Sequence, residues 1–498
     1  MVTTRPSRGR GGGQELDRLA LAFDDERAVA NAGLTLASTL IDRLGIEQVV
    51  DETLDLGERP GGARPGRKLL TLVCSALVGG DSIDDADVLR CGETERVLGQ
   101  RVMAPSTLGT FLRSFTFGHV RQLDRAFETI LGRAWAAGAG PGSEPLTIDL
   151  DSTIVEVAGH AKQGASFGYT KRRGYHPLLA TRADTGEVLH ARLRKGSAGS
   201  GRGAERFVCE LVQRVRRVGA RGPLVVRADS GFWSYRTIVA LERHGVRYSI
   251  GVTQHAQVRA AIDQIAEQDW RPLADYPPEG IAEIAEGTLS GRRLVVRRTR
   301  LVGAQAELFP DWRYHAFITD RSEPLALVEA DHRRHAQIEL AIRDLKQGSG
   351  LNHAPSGRFF ANAAWLLIAC LAHNLARWLS RLGLGCLRQS DKGADQERTR
   401  VRPGQLPRRQ LPEQPRLLLR RRRRRLARLI RRHTKRRGTG ATGRPFPHCP
   451  ADRRKVASAP SAPSLGDSPS EASPTTRRRL PCRAELLLSR PRSPGPHL

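Results

Sequence analysis

Three segments of this chain carry acidic residues that could hold divalent metal ions. Asp149 and Asp151 are two residues apart on a strand-like segment, so their side chains point to the same side of that strand. Asp229 follows the apolar run 224–226 and precedes a glycine turn, where sites of open α/β sheets form. Glu339 lies in a segment with helical spacing. Carboxylate oxygens are the ligands that Mg²⁺ prefers, and two such ions can promote cleavage of a phosphodiester bond.

One face of a predicted helix over residues 330–347 carries further polar side chains. At about 100° per residue, four of them fall within an arc of about 60°: His332, His335, Glu339 and Lys346. Arg343 lies about one turn from Glu339 on the same helix. Such a face suits a phosphate-handling site, although the same pattern is typical of the solvated face of an amphipathic helix.

The elements that must position these groups can be predicted from the spacing of apolar residues. Alternation over 146–150 predicts a strand, and a turn at Asp184-Thr185-Gly186 predicts a hairpin between strands over 176–181 and 188–193. A helix follows, with apolar residues at four-residue spacing, and then come a strand at 224–226, another helix and a strand at 248–252. This order favours an α/β fold of the RNase H-like type, a mixed sheet with helices on both faces.

Changes of composition predict six segments. They are a disordered arm (1–14), an all-helical domain (15–140), the first part of an RNase H-like catalytic core (141–252), a β-rich insertion (253–325), the C-terminal helices of that core (326–385) and a disordered basic tail (386–498). The helical domain is long enough to hold a helix-turn-helix that binds DNA, or it serves only for packing.

The net charge of +29 suggests a nucleic-acid partner, but its distribution is uneven. Residues 386–498 hold 30 Lys and Arg against 8 Asp and Glu, which leaves residues 1–385 with a net charge of only +7. The same tail contains 15 of the 29 prolines and an unbroken run of six arginines. Such a segment cannot bury enough apolar surface to order itself, so we interpret it as a translated frameshift or read-through product, or else as a solvated nucleic-acid-binding arm.

Cysteine usage and hydropathy favour a cytoplasmic protein without a membrane span. The seven cysteines include no Cys-x-x-Cys pair, which is typical of reduced thiols rather than a zinc ribbon or redox motif. The basic, glycine-rich N-terminus predicts no secretory signal. The apolar stretch 363–372 is too short to cross a bilayer and predicts a buried helix.

A set of short motifs resembles the DDE transposases of bacterial insertion sequences, in the insertion-sequence-four superfamily and its thirteen-eighty group. The matching segments span residues 20–382 and are Ala32-Gly33-Leu34, Gly79-Gly80-Asp81, Pro105-Ser106-Thr107-Leu108, Asp149-Leu150-Asp151-Ser152-Thr153, Arg227-Ala228-Asp229-Ser230-Gly231, Ile338-Glu339 with Lys346, and Asn374-Leu375. The combination is specific, although each segment alone is not.

The resemblance implies cut-and-paste transposition of an insertion sequence by two-metal phosphodiester hydrolysis and strand transfer. Asp151, Asp229 and Glu339 would be the catalytic and metal-binding residues, with two Mg²⁺ or Mn²⁺ ions, and Asp149 would be an auxiliary carboxylate. The partners would be DNA, as terminal inverted repeats and target DNA, and a second copy of the chain in a homodimer. The helical region 15–140 is predicted to bind the element ends.

The predicted helix over residues 330–347, called here the glutamate helix because it carries Glu339, departs from the pattern of the superfamily in two places. His332 and His335 stand where the superfamily has a tyrosine and an arginine, while Glu339 and Lys346 keep the expected spacing. Lys346, with Arg343 or His335, is predicted to contact DNA phosphates near the cleaved bond.

The resemblance also implies that excision can pass through a DNA hairpin, which requires a base to leave the stack, and three tryptophans are candidates to stack on that base. Trp312, in the predicted insertion, is the preferred residue because its polar neighbours suit partial exposure. Trp270 also lies in the insertion, whereas Trp233 follows Asp229 by four residues and is predicted to pack under the site.

Two other functions fit parts of the sequence. Asp149-Leu150-Asp151-Ser152-Thr153 fits the Asp-x-Asp-x-Thr signature of haloacid-dehalogenase-type phosphatases, in which Asp149 would be the nucleophile. That signature also requires a later acidic pair at a strand end, and Asp229 stands alone. The second alternative is a catalytically decayed transposase that only binds DNA, an interpretation that the aberrant tail favours.

Overall fold

The computed structural model of the chain describes residues 31–168, 170–273, 276, 280–301 and 311–383. The predicted arm (1–14) and tail (386–498) lie outside these residues.

The described part of region 15–140 is helical, as its apolar spacing predicts. Its α-helices are α1 (Leu34–Leu44), α2 (Ile46–Thr53), α3 (Pro65–Leu77), α4 (Thr94–Leu98), α5 (Pro105–Arg113) and α6 (Phe117–Ala134), and a 3₁₀ helix covers Asp84–Arg90. The buried residues of α1 recur every three or four positions, which gives the helix one core-facing stripe. Gly45 has a left-handed backbone (φ +59°) that ends α1 and turns the chain into α2.

Nine described strands form one mixed sheet, in the order β6-β5-β1-β7-β8-β12-β11-β10-β9. Their bounds are β1 (Leu146–Ser152), β5 (Leu178–Arg182), β6 (Val188–Arg192), β7 (Leu224–Ala228), β8 (Arg247–Gly251), β9 (Arg271–Pro272), β10 (Gly280–Leu289), β11 (Arg292–Leu301) and β12 (Arg313–Thr319). A separate small sheet has the order β2-β4-β3, with β2 (Val155–Glu156), β3 (Ser166–Phe167) and β4 (Arg173–Tyr175).

The first five strands of the large sheet follow the predicted order. β1, β5 and β6 are consecutive antiparallel neighbours, whereas β7 and β8 run parallel to β1 and to each other. The intervening helices are α7 (Ala204–Arg217) and α8 (Tyr235–Arg243). The predicted mixed α/β fold is therefore confirmed, and the carboxyl ends of the parallel strands β1 and β7 meet at one edge of the sheet.

The strands of region 253–325 extend the same sheet. After α9 (Ala256–Asp263), β12 pairs antiparallel with β8, and β11, β10 and β9 follow outward. A small apolar cluster, formed by Ile284, Val295, Phe317, Leu325 and Val328, packs these strands against the next helix.

The predicted single helix over 330–347 is wrong. The chain forms α10 (Leu325–Arg333), a 3₁₀ turn (Arg334–Gln337) and α11 (Ile338–Gly348). A 3₁₀ turn has about three residues per turn rather than 3.6, so the constant angular spacing assumed for the polar face does not hold across it.

Helix α12 (Phe359–Trp378) is apolar on nearly all sides, which suits its position between α3, α5, α6 and β6. The helical stretch Phe359–Leu382 is long and apolar enough to cross a membrane, but 83% of its most apolar window is buried inside the protein. The Asn374 amide bonds both backbone groups of Val188 (2.7 and 2.8 Å), which covers part of the outer edge of β6.

Candidate active site

Asp151 and Asp229 lie side by side at one edge of the sheet. In the parallel pair β1 and β7, Leu150 is opposite Ala228, so each aspartate is the next residue along its strand. In parallel strands with this register both side chains point to the same face of the sheet. The two predicted catalytic aspartates, 78 positions apart in sequence, therefore meet at the carboxyl ends of adjacent strands.

The turn after β7 holds Asp229 in an exposed position. Its Oδ1 accepts the Gly231 backbone N–H at 3.1 Å, at the start of a 3₁₀ turn over Ser230–Phe232. Gly251, at the end of β8, permits this close turn, because a Cβ there would lie 2.9 Å from the Ser230 nitrogen. Gly231 likewise leaves room for Ser200, whose hydroxyl lies 2.9 Å from that of Ser152.

Glu339, at the first turn of α11, shares a cleft of about 430 Å³ with Asp151. The residues that line this cleft are Asp151, Thr153, Glu339, Ile342, Arg343, Lys346, Gln347 and Asn352. Asp229 is not among them, but it lies close enough to Asp151 for its charge to act on that carboxyl.

The electrostatics of Asp151 are those of a crowded acidic site. The pKa of Asp151 is raised to about 6, chiefly by burial and also by the negative charges of Asp229 and Glu339, while the Ser152 backbone N–H and His335 oppose the shift. The Ser152 N–H donates to Asp151 Oδ1 at 2.6 Å. Like charges gathered in this way favour a bound cation. Among the described residues, however, no three His, Cys, Asp or Glu side chains lie at coordination spacing.

Asp149 does not line the cleft and is buried in an ion pair. Arg227 lies opposite it on β7 and donates through Nε and Nη2 to its two carboxylate oxygens, at 2.7 and 2.9 Å. Both side chains are about 1% to 2% exposed. Arg227 also donates through Nη1 to the backbone carbonyl and the carboxylate of Asp331. The pair therefore ties α10, which leads into the glutamate helix, to the face of the sheet below Asp151.

The two histidines of the predicted polar face pack against strands of the large sheet. His332 stacks on Phe317 (centroids 3.9 Å apart), and its Nδ1 lies 2.9 Å from the Ser249 hydroxyl. Burial lowers the pKa of His332 to about 3, with further lowering by His335, so the ring is neutral near pH 7. His335 Nε2 lies 3.0 Å from the Leu150 carbonyl oxygen, to which it must donate.

Lys346 and Arg343 line the cleft beside Glu339. The Lys346 Nζ donates to the Ile154 carbonyl at 2.9 Å. Burial lowers the pKa of Lys346, while the charges of Glu156 and Asp151 oppose that shift. Cationic side chains on the helix wall, opposite Asp151 on the sheet wall, suit the binding of phosphate oxygens in this cleft.

The tryptophans proposed as stacking partners lie in different surroundings. Trp312 is partly exposed, and the guanidinium carbons of Arg298 and Arg300 lie 4.5 and 4.8 Å from its ring centroid. Arg298 also lies 4.3 Å from the ring of Trp270. A base that stacks on Trp312 must compete with these cations. Trp233 packs against the main hydrophobic core.

Sequence reasoning missed the roles of Arg227, Asp331 and Ser249. The alternation of β7 indicates that Arg227 shares a face with Asp229, but this spacing does not reveal its partners on other elements. An arginine two residues before a predicted catalytic aspartate, on a strand flanked by apolar residues, is the signal that could have suggested an ion pair.

Residues 14–402 match the family described as Transposase DDE domain group 1. The match covers most of the chain, which therefore belongs to that family of DDE transposases, as predicted. Its narrower placement in the thirteen-eighty group stays a prediction. No curated protein matches the chain.

Seven chains in solved structures match. One is the piggyBac transposase in the cryo-EM structure of its synaptic complex with hairpin DNA. It is 13% identical, with a TM-score of 0.38 over 78% of this chain and 89% of that one.

Proposed function

We propose that this chain catalyses cut-and-paste transposition of an insertion sequence, by phosphodiester hydrolysis and strand transfer. The observation that carries the proposal is the meeting of Asp151 and Asp229 at the ends of parallel strands β1 and β7, with Glu339 across the same cleft as Asp151. In the strand order β6-β5-β1-β7-β8, β5 runs opposite to the other four strands, which supports an RNase H-like catalytic core.

Asp151, Asp229 and Glu339 would hold two Mg²⁺ or Mn²⁺ ions. The donor set fits, because all three offer carboxylate oxygens and because Asp151 lies within electrostatic reach of the other two. When bound, such ions activate the attacking water or 3′-hydroxyl and stabilise the leaving oxygen.

The other residues of the cleft position the DNA. Lys346 and Arg343 are placed to bind phosphate oxygens on the wall that carries Glu339. His335 holds the start of the glutamate helix on the Leu150 carbonyl, next to Asp151. Asp149 acts through Arg227 as a positioning residue that fixes the sheet face and α10.

We propose further that the partners are the terminal inverted repeats and target DNA, that two copies of the chain act together on them, and that the protein works in the cytoplasm. The helical region would bind the element ends. Its helices share one hydrophobic core with the sheet, so it would do so as a part of the catalytic domain rather than as a separate domain.

The phosphatase alternative requires Asp149 as an accessible nucleophile. Both of its oxygens bond to Arg227, and its side chain is about 1% exposed. A phosphate ester cannot reach a carboxylate in that position, so the geometry disfavours this alternative.

Strand nicking tests the proposed function. The full chain is incubated with Mn²⁺ and a duplex that carries the terminal inverted repeats of its element, beside a duplex with the same repeats scrambled. We expect nicks at the repeat ends only in the first duplex. Asp344→Asn, on the same helix as Glu339 but paired with Arg377 (2.9 Å), serves as the control variant that keeps activity. Binding of the repeats without any nick would favour the decayed transposase instead.

A further inference from the structure

We propose that the turn between β3 and β4 is a second DNA-binding element, which contacts the sugar–phosphate backbone beside the cleft. Its contact residues are Phe167, Lys171 and Arg172, called here the cationic tip. The inference rests on the proposed function, since it takes DNA as the substrate of the neighbouring cleft. Residue 169 lies outside the described residues and has no part in the argument.

The cationic tip presents two positive charges and one aromatic ring to solvent. Lys171 and Arg172 are exposed, and Phe167 is 65% exposed. An exposed aromatic ring next to exposed cations is typical of surfaces that bind single nucleic-acid strands, where the ring stacks on bases and the cations contact phosphates. Lys171 adopts a left-handed backbone (φ +56°), which turns the chain between the two strands.

A short series of contacts places the tip next to the cleft. Lys346, which lines the cleft, bonds to the Ile154 carbonyl, and Glu156 lies within electrostatic reach of that lysine. The Glu156 carboxylate in turn accepts from Arg172 Nη1 at 2.7 Å. A DNA strand held near Asp151 and Lys346 therefore passes within reach of Arg172.

The small sheet that carries the tip is fixed to the catalytic core on two sides. On one side, the Lys162 Nζ donates to the carbonyls of Ala354 and Ser356, in the segment between α11 and α12. On the other side, Gly196 packs so closely that a Cβ there would lie 2.1 Å from the Gly174 carbonyl oxygen. A rigid support of this kind holds a binding surface at a fixed distance from the reacting bond.

The ion pair that holds Arg172 is weak enough to yield to phosphate. The ion pair of Arg172 and Glu156 is 66% and 55% exposed, and exposed pairs contribute little in water. DNA phosphates offer both cations a denser array of negative charge. The ring of Phe167 suits contact with deoxyribose or a base without sequence preference.

The salt dependence of DNA binding tests the inference. The affinity of the full chain for a short fluorescent duplex of mixed sequence is measured over roughly 0.05–0.2 M NaCl. Removing one phosphate contact should reduce the slope of log K against log[salt] by about 0.9, and should weaken binding roughly eightfold at ~0.1 M salt. We expect this change for Lys171→Gln and for Arg172→Gln. For the double variant we expect the slope to fall by about 1.8 and the binding to weaken roughly 60-fold at ~0.1 M salt.

Arg243→Gln is the matched control. Arg243 is an exposed cation at the end of α8, before β8 begins, and so lies at the opposite edge of the sheet from Asp229. Its loss should leave the slope at the wild-type value, and any contribution of the basic tail is the same in every variant.

Two more variants separate charge from shape. Phe167→Ala should weaken binding without a change of slope, because no charge is lost. Glu156→Gln should tighten binding, because it frees Arg172 for phosphate, whereas a tip with a purely structural role would show no gain. Thermal unfolding of each variant, with midpoints near the wild type, checks that the fold is intact.

The outcomes distinguish this inference from the proposed function. Wild-type slopes in both single variants and the double variant would overturn the binding role of the tip, whatever the nicking assay shows. Reduced slopes in a protein that never nicks repeat DNA would support the tip and contradict the proposed catalytic function.

Discussion

The buried pair of Asp149 and Arg227 gives a quantitative prediction about what holds the glutamate helix in place. Both side chains are at most 2% exposed, and two hydrogen bonds join them. Removal of one partner leaves the other charge buried, which costs about 3–5 kcal/mol in proteins. Arg227 keeps a second partner in Asp331, so we expect Asp149→Leu to lower the free energy of unfolding by about 3 kcal/mol, near the low end.

A double-mutant cycle measures the pair itself. Urea unfolding, followed by tryptophan fluorescence, gives the free energy of unfolding for the wild type, Asp149→Leu, Arg227→Met and the double variant. Replacing both charges by apolar groups removes the unpaired charge, so the double variant should lose less than the sum of the single losses, with a coupling of about 2 kcal/mol or more. Additive losses would refute the argument that the pair acts as one unit.

Mn²⁺ binding separates the positioning role of Asp149 from that of a metal ligand. At a temperature where every variant is folded, the double variant should still bind Mn²⁺, because Asp149 is buried against Arg227 and does not line the cleft. Loss of Mn²⁺ binding in a folded double variant would assign Asp149 to the metal site and contradict the present interpretation.

Three further predictions concern other parts of the molecule. Burial, with help from Arg214, lowers the pKa of His190 to about 4. The charged groups that face its ring are Asp124, Glu210, Arg192 and Arg214. Between pH ~6.5 and 4 the unfolded chain binds a proton at this histidine and the folded chain does not. The free energy of unfolding therefore has its full value above pH ~6.5 and loses about 3 kcal/mol as the pH falls towards 4. His190→Gln should flatten the dependence of unfolding free energy on pH in that range, and an unchanged dependence would contradict this. Lys346→Ala should lower nicking while Mn²⁺ binding persists, since Lys346 is proposed to contact phosphate rather than metal; equal loss of both would indicate another role. Trp312→Ala should reduce hairpin formation but not first-strand nicking, because only the hairpin step needs a base to stack on this ring. An unchanged hairpin yield would refute the stacking hypothesis.

Local patterns in the sequence were sufficient to predict the acidic edge of the sheet. Alternation around Asp149 and Asp151 and the β-branched run before Asp229 define strands whose ends must lie together once they pair in parallel. The mixed sheet and the buried helix at 363–372 follow from the same kind of pattern.

Partners that are distant in sequence could not be predicted in this way. The pairing of Arg227 with Asp149 and Asp331 depends on strand register and on where α10 packs, neither of which leaves a local signal. His332, just before the 3₁₀ turn that divides the predicted helix, and His335, within that turn, both contact the sheet, and the sequence does not reveal these contacts. The same limit explains why the pairing of β12 with β8, which joins region 253–325 to the main sheet, was not foreseen.

Counting the Mn²⁺ ions bound per chain tests the central claim most directly. Equilibrium dialysis of the full chain with duplex DNA should give two ions per wild-type chain at the carboxylate site. Asp151→Asn, Asp229→Asn and Glu339→Gln should each bind fewer, while Asp344→Asn, on the same helix, should match the wild type. If the three variants bind as many ions as the wild type and Asp344→Asn, these carboxylates do not form the metal site of this transposase.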